Sequence, residues 1–183
     1  MQLHYFWGLA AIWGEWQNAA MVSKRSIREE GHRRKFLAVI DDTPECATAV
    51  TYASRRARTT NGVVVLLYIV KSEDFQQWMG VGDIMRAEAR AEAQTALERH
   101  ADKVRRDINM DCELVIREGA VLENLRSLIE DDSDIAILIL AAGNGKDGPG
   151  PLVQSIAASS GSFAIPVTVV PFGLSDEEIE LLT

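Results

Sequence analysis

Short unbroken apolar runs alternate along this chain with longer stretches in which apolar residues return every third or fourth position. The first run, Phe36 to Ile40, is what a strand covered on both faces requires. Asp41-Asp42-Thr43-Pro44 halts it, and a helix is predicted over 45–59 with Ala49, Val50, Ala53 and Ala57 on its inward side. Asn61-Gly62 signals a turn, and 63–70 reads as a second strand rich in β-branched residues. Residues 83–109 carry Leu97, Ala101, Val104 and Ile108 at helical spacing, which predicts one long amphipathic helix. Further strands are predicted at 112–116, 135–140 and 165–170. Helices over 121–130 and 152–160 separate them, the first led by Leu122, Leu125 and Ile129. Ser175 and Glu178 have the spacing of a capping box that opens a last short helix.

Strands that alternate with helices imply right-handed crossovers and an α/β fold, an open parallel sheet with helices on both faces. In such sheets, ligands bind beyond the carboxyl ends of the strands, where the strand order reverses. Two segments fall at that edge. Asp41-Asp42-Thr43 follows the first strand, and the Gly/Pro loop 143–151 follows the fourth.

Composition narrows the choices without naming a function. The chain has 183 residues, 47% apolar and 25% charged, values ordinary for one globular domain. A net charge of −8 argues against a nucleic-acid surface, which needs clustered Lys and Arg. Cys46 and Cys112 have no metal-ligand or CxxC spacing, which fits a reducing, cytoplasmic setting. The first twenty residues differ from the rest, holding Trp7, Trp13 and Trp16, three of the four tryptophans. Basic residues come after this apolar stretch rather than before it, unlike a secretory signal, and the stretch is too short to span a bilayer. Residues 1–34 are therefore read as an extension ahead of the domain, unstructured from Met21 to Arg34, with translation starting at Met21. The alternative is an aromatic arm for a membrane surface or a partner.

Three ligand chemistries compete for the two loops. A phosphorylatable receiver would need a third Asp at the end of the third strand and a Lys after the fifth; Arg117-Glu118-Gly119 and a last lysine at Lys146 exclude it. A flavodoxin-like site would need a hydroxyl- and glycine-rich loop where the acidic 41–45 segment stands. The third reading places a nucleotide across both loops. Gly143, Gly145, Gly148 and Gly150 would let backbone N–H groups approach a phosphate, with Lys146 adding a positive charge. The helix that follows would add its positive end and the Ser155 hydroxyl. Asp41, facing them, would accept hydrogen bonds from a ribose or an adenine amino group.

The segments Phe36 to Glu45, Arg117 to Gly119, Ile135 to Gly143 and Ile165 to Val170 resemble those of a universal stress protein domain, over about three-quarters of the sequence. The resemblance implies a Rossmann-like sheet (adenine nucleotide alpha hydrolase-like) in the order 3-2-1-4-5, over 35–172, followed by an acidic helix at 173–183. It also implies a homodimer through the last strand. In nucleotide-binding members, the Asp ending strand one and residues just after strand two hold adenosine, here Asp41 and about Ile69-Val70; Asp42 stands beside the first. ATP-binding members carry Gly, two residues, Gly, nine residues, then Gly followed by Ser or Thr. Gly145 and Gly148 fit the start, but Ala158-Ser159 stands where the third glycine would fall. Pro149 and Pro151 each remove an N–H from the loop. The ligand expected is ATP or AMP at a degenerate site, with slow hydrolysis at most, since no nucleophile–base–acid set is present.

Each of these residues also has a plainer role. Asp41 and Asp42 would serve as a solvated cap for the helix that follows, the glycine loop as a simple turn, and Ser155 as a surface hydroxyl. Cys46 reads as a buried free thiol and His100 as a solvated side chain of the long helix. A ligand-free module that docks a protein partner through its dimer and cleft surfaces is the alternative function.

Overall fold

The computed structural model describes residues 25–26, 29–41, 43–71, 82–143, 145, 148–158 and 163–183. Met21 and the three N-terminal tryptophans, Asp42, Lys146 and Ser159 lie outside the described residues. Among the described residues five strands alternate with five helices. They are β1 (Lys35–Ile40), α1 (Cys46–Thr59), β2 (Val63–Val70), α2 (Gly82–Ile108) and β3 (Cys112–Glu118). Then come α3 (Val121–Asp131), β4 (Ile135–Ala142), α4 (Pro151–Ala158), β5 (Val167–Pro171) and α5 (Asp176–Leu182). The sheet runs β3-β2-β1-β4-β5 with every neighbouring pair parallel.

Period-two alternation in β1 sends Phe36, Ala38 and Ile40 to one face and Leu37 to the other. The first set packs on Ala49, Val50, Ala53 and Ala57 of α1 and on Leu97 and Val104 of α2. Leu37 joins Leu125 and Ile129 of α3 and Ile156 of α4. With helices on both faces, β1 is apolar along its length because neither face meets water. The α1–β2 turn depends on Gly62, whose missing Cβ would stand 2.7 Å from the Arg34 carbonyl and 2.7 Å from the Phe36 ring.

The amino end of the fold corrects one expectation. The lead into β1 was read as unstructured, yet its described residues are tied to the α3–β4 turn. The Arg25 guanidinium donates to the Ile129 carbonyl at 2.5 Å and to the Asp132 carbonyl at 3.2 Å. Ser26 N–H donates to Ser133 O at 3.2 Å, and His32 Nδ1 lies 2.7 Å from Asp134. A helix leaves its last carbonyls without intrahelical donors, and here the lead supplies them.

A second correction concerns His100, expected in solvent but buried. It lies three residues after Leu97 and four before Val104, so it shares the inward face of α2. Burial holds its pKa below the ordinary value, reinforced by Arg99 and Lys103 and only partly opposed by Asp41. The unfolded chain therefore binds a proton at His100 more readily than the folded one. This contribution is complete above the unfolded value of about 6.5 and declines as pH falls from there through the folded pKa. His100→Gln is expected to lose less stability than the parent between pH 7.5 and 5.5 in urea denaturation; parallel pH profiles would refute this.

At the carboxyl end, Ser175 and Glu178 form the expected capping box, and the Ser175 N–H donates to Glu178 at 2.8 Å. These bonds hold the Glu178 carboxyl below its usual range. α5 then lies on α1, burying Ile179 and pairing Glu180 with Arg55 and Arg58.

Candidate functional site

From β1 the chain proceeds to β2 on one side, whereas β4 and β5 continue on the other. The connections after β1 and β4 therefore leave in opposite directions, and a crevice opens between their carboxyl ends. It contains a cavity of about 510 Å³. Its floor is made by the ends of β1, β2 and β4, including Ile40, Ile69 and Leu140. One wall is the start of α1 with Glu45 and Cys46, another is α2 with Ala89 and Glu92, and the third is Pro149 to Val153.

Of the ligand-contacting residues singled out from the sequence, Asp41, Ile69, Val70 and Gly150 line this cavity. Asp41 is exposed, and its Oδ1 accepts from Thr43 N–H at 3.1 Å and from Thr43 Oγ1 at 2.6 Å. This turn fixes the carboxylate at the rim, as an Asp that binds backbone two residues on does. Gly143, Gly145, Gly148 and Ser155 are not among the described wall residues. Ser155 is exposed on α4. Pro151 occupies the first position of that helix, where the missing N–H costs nothing.

The glycine loop folds onto itself. Gly143 N–H donates to the Pro149 carbonyl at 3.2 Å, and Gly148 N–H to the Gly145 carbonyl at 3.2 Å. Gly148 and Gly150 have φ of 92° and 96°, the left-handed region in which a side chain is strained. Gly143 has a different use. Glu45 Oε1 lies 2.7 Å from where its Cβ would be, so the absence of a side chain makes room for that carboxylate.

Sequence reasoning gave Glu45 no role, although it closes the acidic segment after β1. Lys71, Tyr68, Ala89 and Glu92 were missed as wall residues too. A cation directly after the second strand was a signal for Lys71; the α2 residues left none, because the fold alone brings that helix over the crevice.

Cys46 also reaches the wall, but its thiol is buried and donates to the Val39 carbonyl at 3.7 Å. Burial pushes its pKa up to about 11 and does the same for Cys112. Both remain thiols near neutrality, the unreactive form. Among the described residues no group of three or more His, Cys, Asp and Glu is placed to hold a metal ion, and no helix is long and apolar enough to cross a membrane.

Ile69 and Val70 make the β2 end of the cavity apolar, Asp41 carries a carboxylate at its rim, and the loop's amides at 143 and 148 already have partners.

Known proteins share this architecture. No curated protein matches the sequence. Among solved structures, universal stress protein UspA from Lactobacillus plantarum superposes with a TM-score of 0.62 at 15% identity, over 76% of this chain and 98% of that one. A universal stress protein family protein from Arabidopsis thaliana, solved with AMP bound, gives 0.54 at 17% identity, over 79% and 94%. A universal stress protein in complex with cAMP gives 0.54 at 14%, over 76% and 98%. Identities this low speak for the fold alone. The sequence profile of the Universal stress protein family, however, matches residues 32–171, and with the strand order 3-2-1-4-5 it establishes that this chain belongs to the universal stress protein family.

Proposed function

We propose that this chain is a regulatory domain that binds an adenine nucleotide reversibly in the crevice between the β1 and β4 loops. The observation that carries the reading is the convergence of Asp41 and Val70 on one cavity of about 510 Å³ at the crossover. That volume lies within the roughly 300–1,000 Å³ usual for small-molecule sites. AMP and cAMP in two structures of the same fold support the choice of an adenylate. Asp41 would hold the ribose or adenine, and Gly150 would approach the phosphate. The domain would act in the cytoplasm by changing its partners with occupancy.

Calorimetric titration with AMP tests this, and saturable binding is expected in the micromolar to low-millimolar range. Flat heats at millimolar AMP would remove the reading and leave the ligand-free interaction module. A homodimer through β5 is part of the same proposal. β5 is an edge strand of the sheet with Val169 43% exposed, and Phe172 just beyond it is 44% exposed. Such an edge offers both backbone groups and apolar surface to a second copy. Sedimentation equilibrium reads it directly, and a monomer at tens of micromolar would reject it.

A further inference from the structure

The adenylate reading does not say how many phosphates the ligand carries, and the loop end of the crevice bears on that. Glu45 is half-buried, its Oε1 2.7 Å from the open position on Gly143, so its carboxylate lies against the start of the glycine loop. Phosphate chains are cradled by backbone N–H groups that converge on the anion. Here Gly143 and Gly148 direct theirs to loop carbonyls, and Pro149 and Pro151 have none. The charge of the described walls points the same way, with Asp41, Glu45 and Glu92 set against Lys71. The floor of the crevice is apolar where β2 ends at Ile69 and Val70, and Asp41 adds an acceptor at the rim.

Resting on the adenylate reading of this crevice, we propose that Glu45 is a specificity-determining residue that restricts the site to adenosine or its monophosphate and rejects the triphosphate. Each further phosphate brings negative charge toward the Glu45 carboxylate, which lies against the start of the loop. Like charges brought together in a partly desolvated cleft are penalised far more than in water. Gly143 completes the device, because any side chain there would displace the carboxylate from the loop.

The test is titration of the full chain with adenosine, AMP and ATP, the last with and without magnesium, at fixed ionic strength. ATP is expected to bind at least about tenfold more weakly than AMP. Glu45→Gln should narrow that ratio about fivefold while AMP affinity stays within twofold. Glu45→Ala should agree, and Glu123→Gln, at an exposed position on α3 outside the crevice, should leave the ratio in place. Thermal unfolding identifies any variant that fails to fold, and the two Glu45 substitutions stand in for each other. Equal binding of ATP and AMP by the parent, an unchanged ratio in the Glu45 variants, or the same narrowing in Glu123→Gln overturns the role of Glu45 while the adenylate site stands. No saturable binding of any of the three overturns both.

Discussion

Phe36→Ala is expected to remove about 3–5 kcal/mol of folding stability, the usual cost of deleting a buried aromatic side chain. Phe36 has 0% exposure, lies on the central strand of the sheet and packs in the cluster formed by β1, α1 and α2. The Gly62 backbone approaches its ring so closely that no side chain fits between them. That contact joins the α1–β2 turn to the core, and truncation empties a space with rigid backbone on one side. Collapse around the cavity is then limited, which places the cost at the upper end of the range. Net stabilities of about 5–15 kcal/mol leave little margin for such a loss. Urea denaturation measures it directly, with Ile84→Ala as the comparison. Ile84 is 62% exposed on α2, and its truncation should stay within about 0.5 kcal/mol. A loss below 1 kcal/mol for Phe36→Ala would contradict the packing described.

Ala89→Trp should abolish saturable adenylate binding, weakening it by at least about fiftyfold, while the domain stays folded. Ala89 is half-buried on α2 and faces the cavity from the side opposite the glycine loop. An indole there would cover roughly 150–250 Å² of surface and compete with the adenine for the same walls. The helix itself tolerates the change, since Trp costs less than about 0.7 kcal/mol against Ala in helix propensity. Binding and stability are thereby separated. If Ala89→Trp bound AMP like the parent, the ligand would be somewhere other than this crevice. If its melting transition were lost as well, Ala89 would belong to the core rather than to a ligand wall.

Much of the fold is legible in the order of residues. The apolar run 36–40, the turn at Asn61-Gly62 and the alanine face of α1 each report a local period, and each element formed within a few residues of its expected bounds. The capping box at Ser175 formed as its spacing predicts. β5 begins at Val167 rather than at 165, because Pro166, which has no N–H to give to a ladder, holds the strand back. The order 3-2-1-4-5 followed from family resemblance, and parallel pairing between every neighbour agrees with the crossovers that strand–helix alternation imposes.

The candidate site was legible only in part. Asp41 and Val70 sit at strand ends, and a strand end is marked in sequence by the stop of an apolar run; both reached the cavity. Ser155 was read from proximity along the chain, and the pitch of α4 leaves it exposed to solvent. His100 shows the opposite error. Glu98, Arg99 and Asp102 around it are charged, but Leu97 three residues before it and Val104 four after it are apolar and buried, and helical period rather than adjacency determines burial.

By itself, the sequence determined the succession of elements, their inward faces and their caps, since each depends on residues within a turn or two of one another. Only the tertiary structure decided which groups share the crevice: the carboxylate of Glu45 against Gly143, the glycine amides turned to loop carbonyls, and α2 closing one side with Ala89 and Glu92. These contacts join segments far apart along the chain, and their geometry is set by how helices pack across the sheet, which no local periodicity encodes.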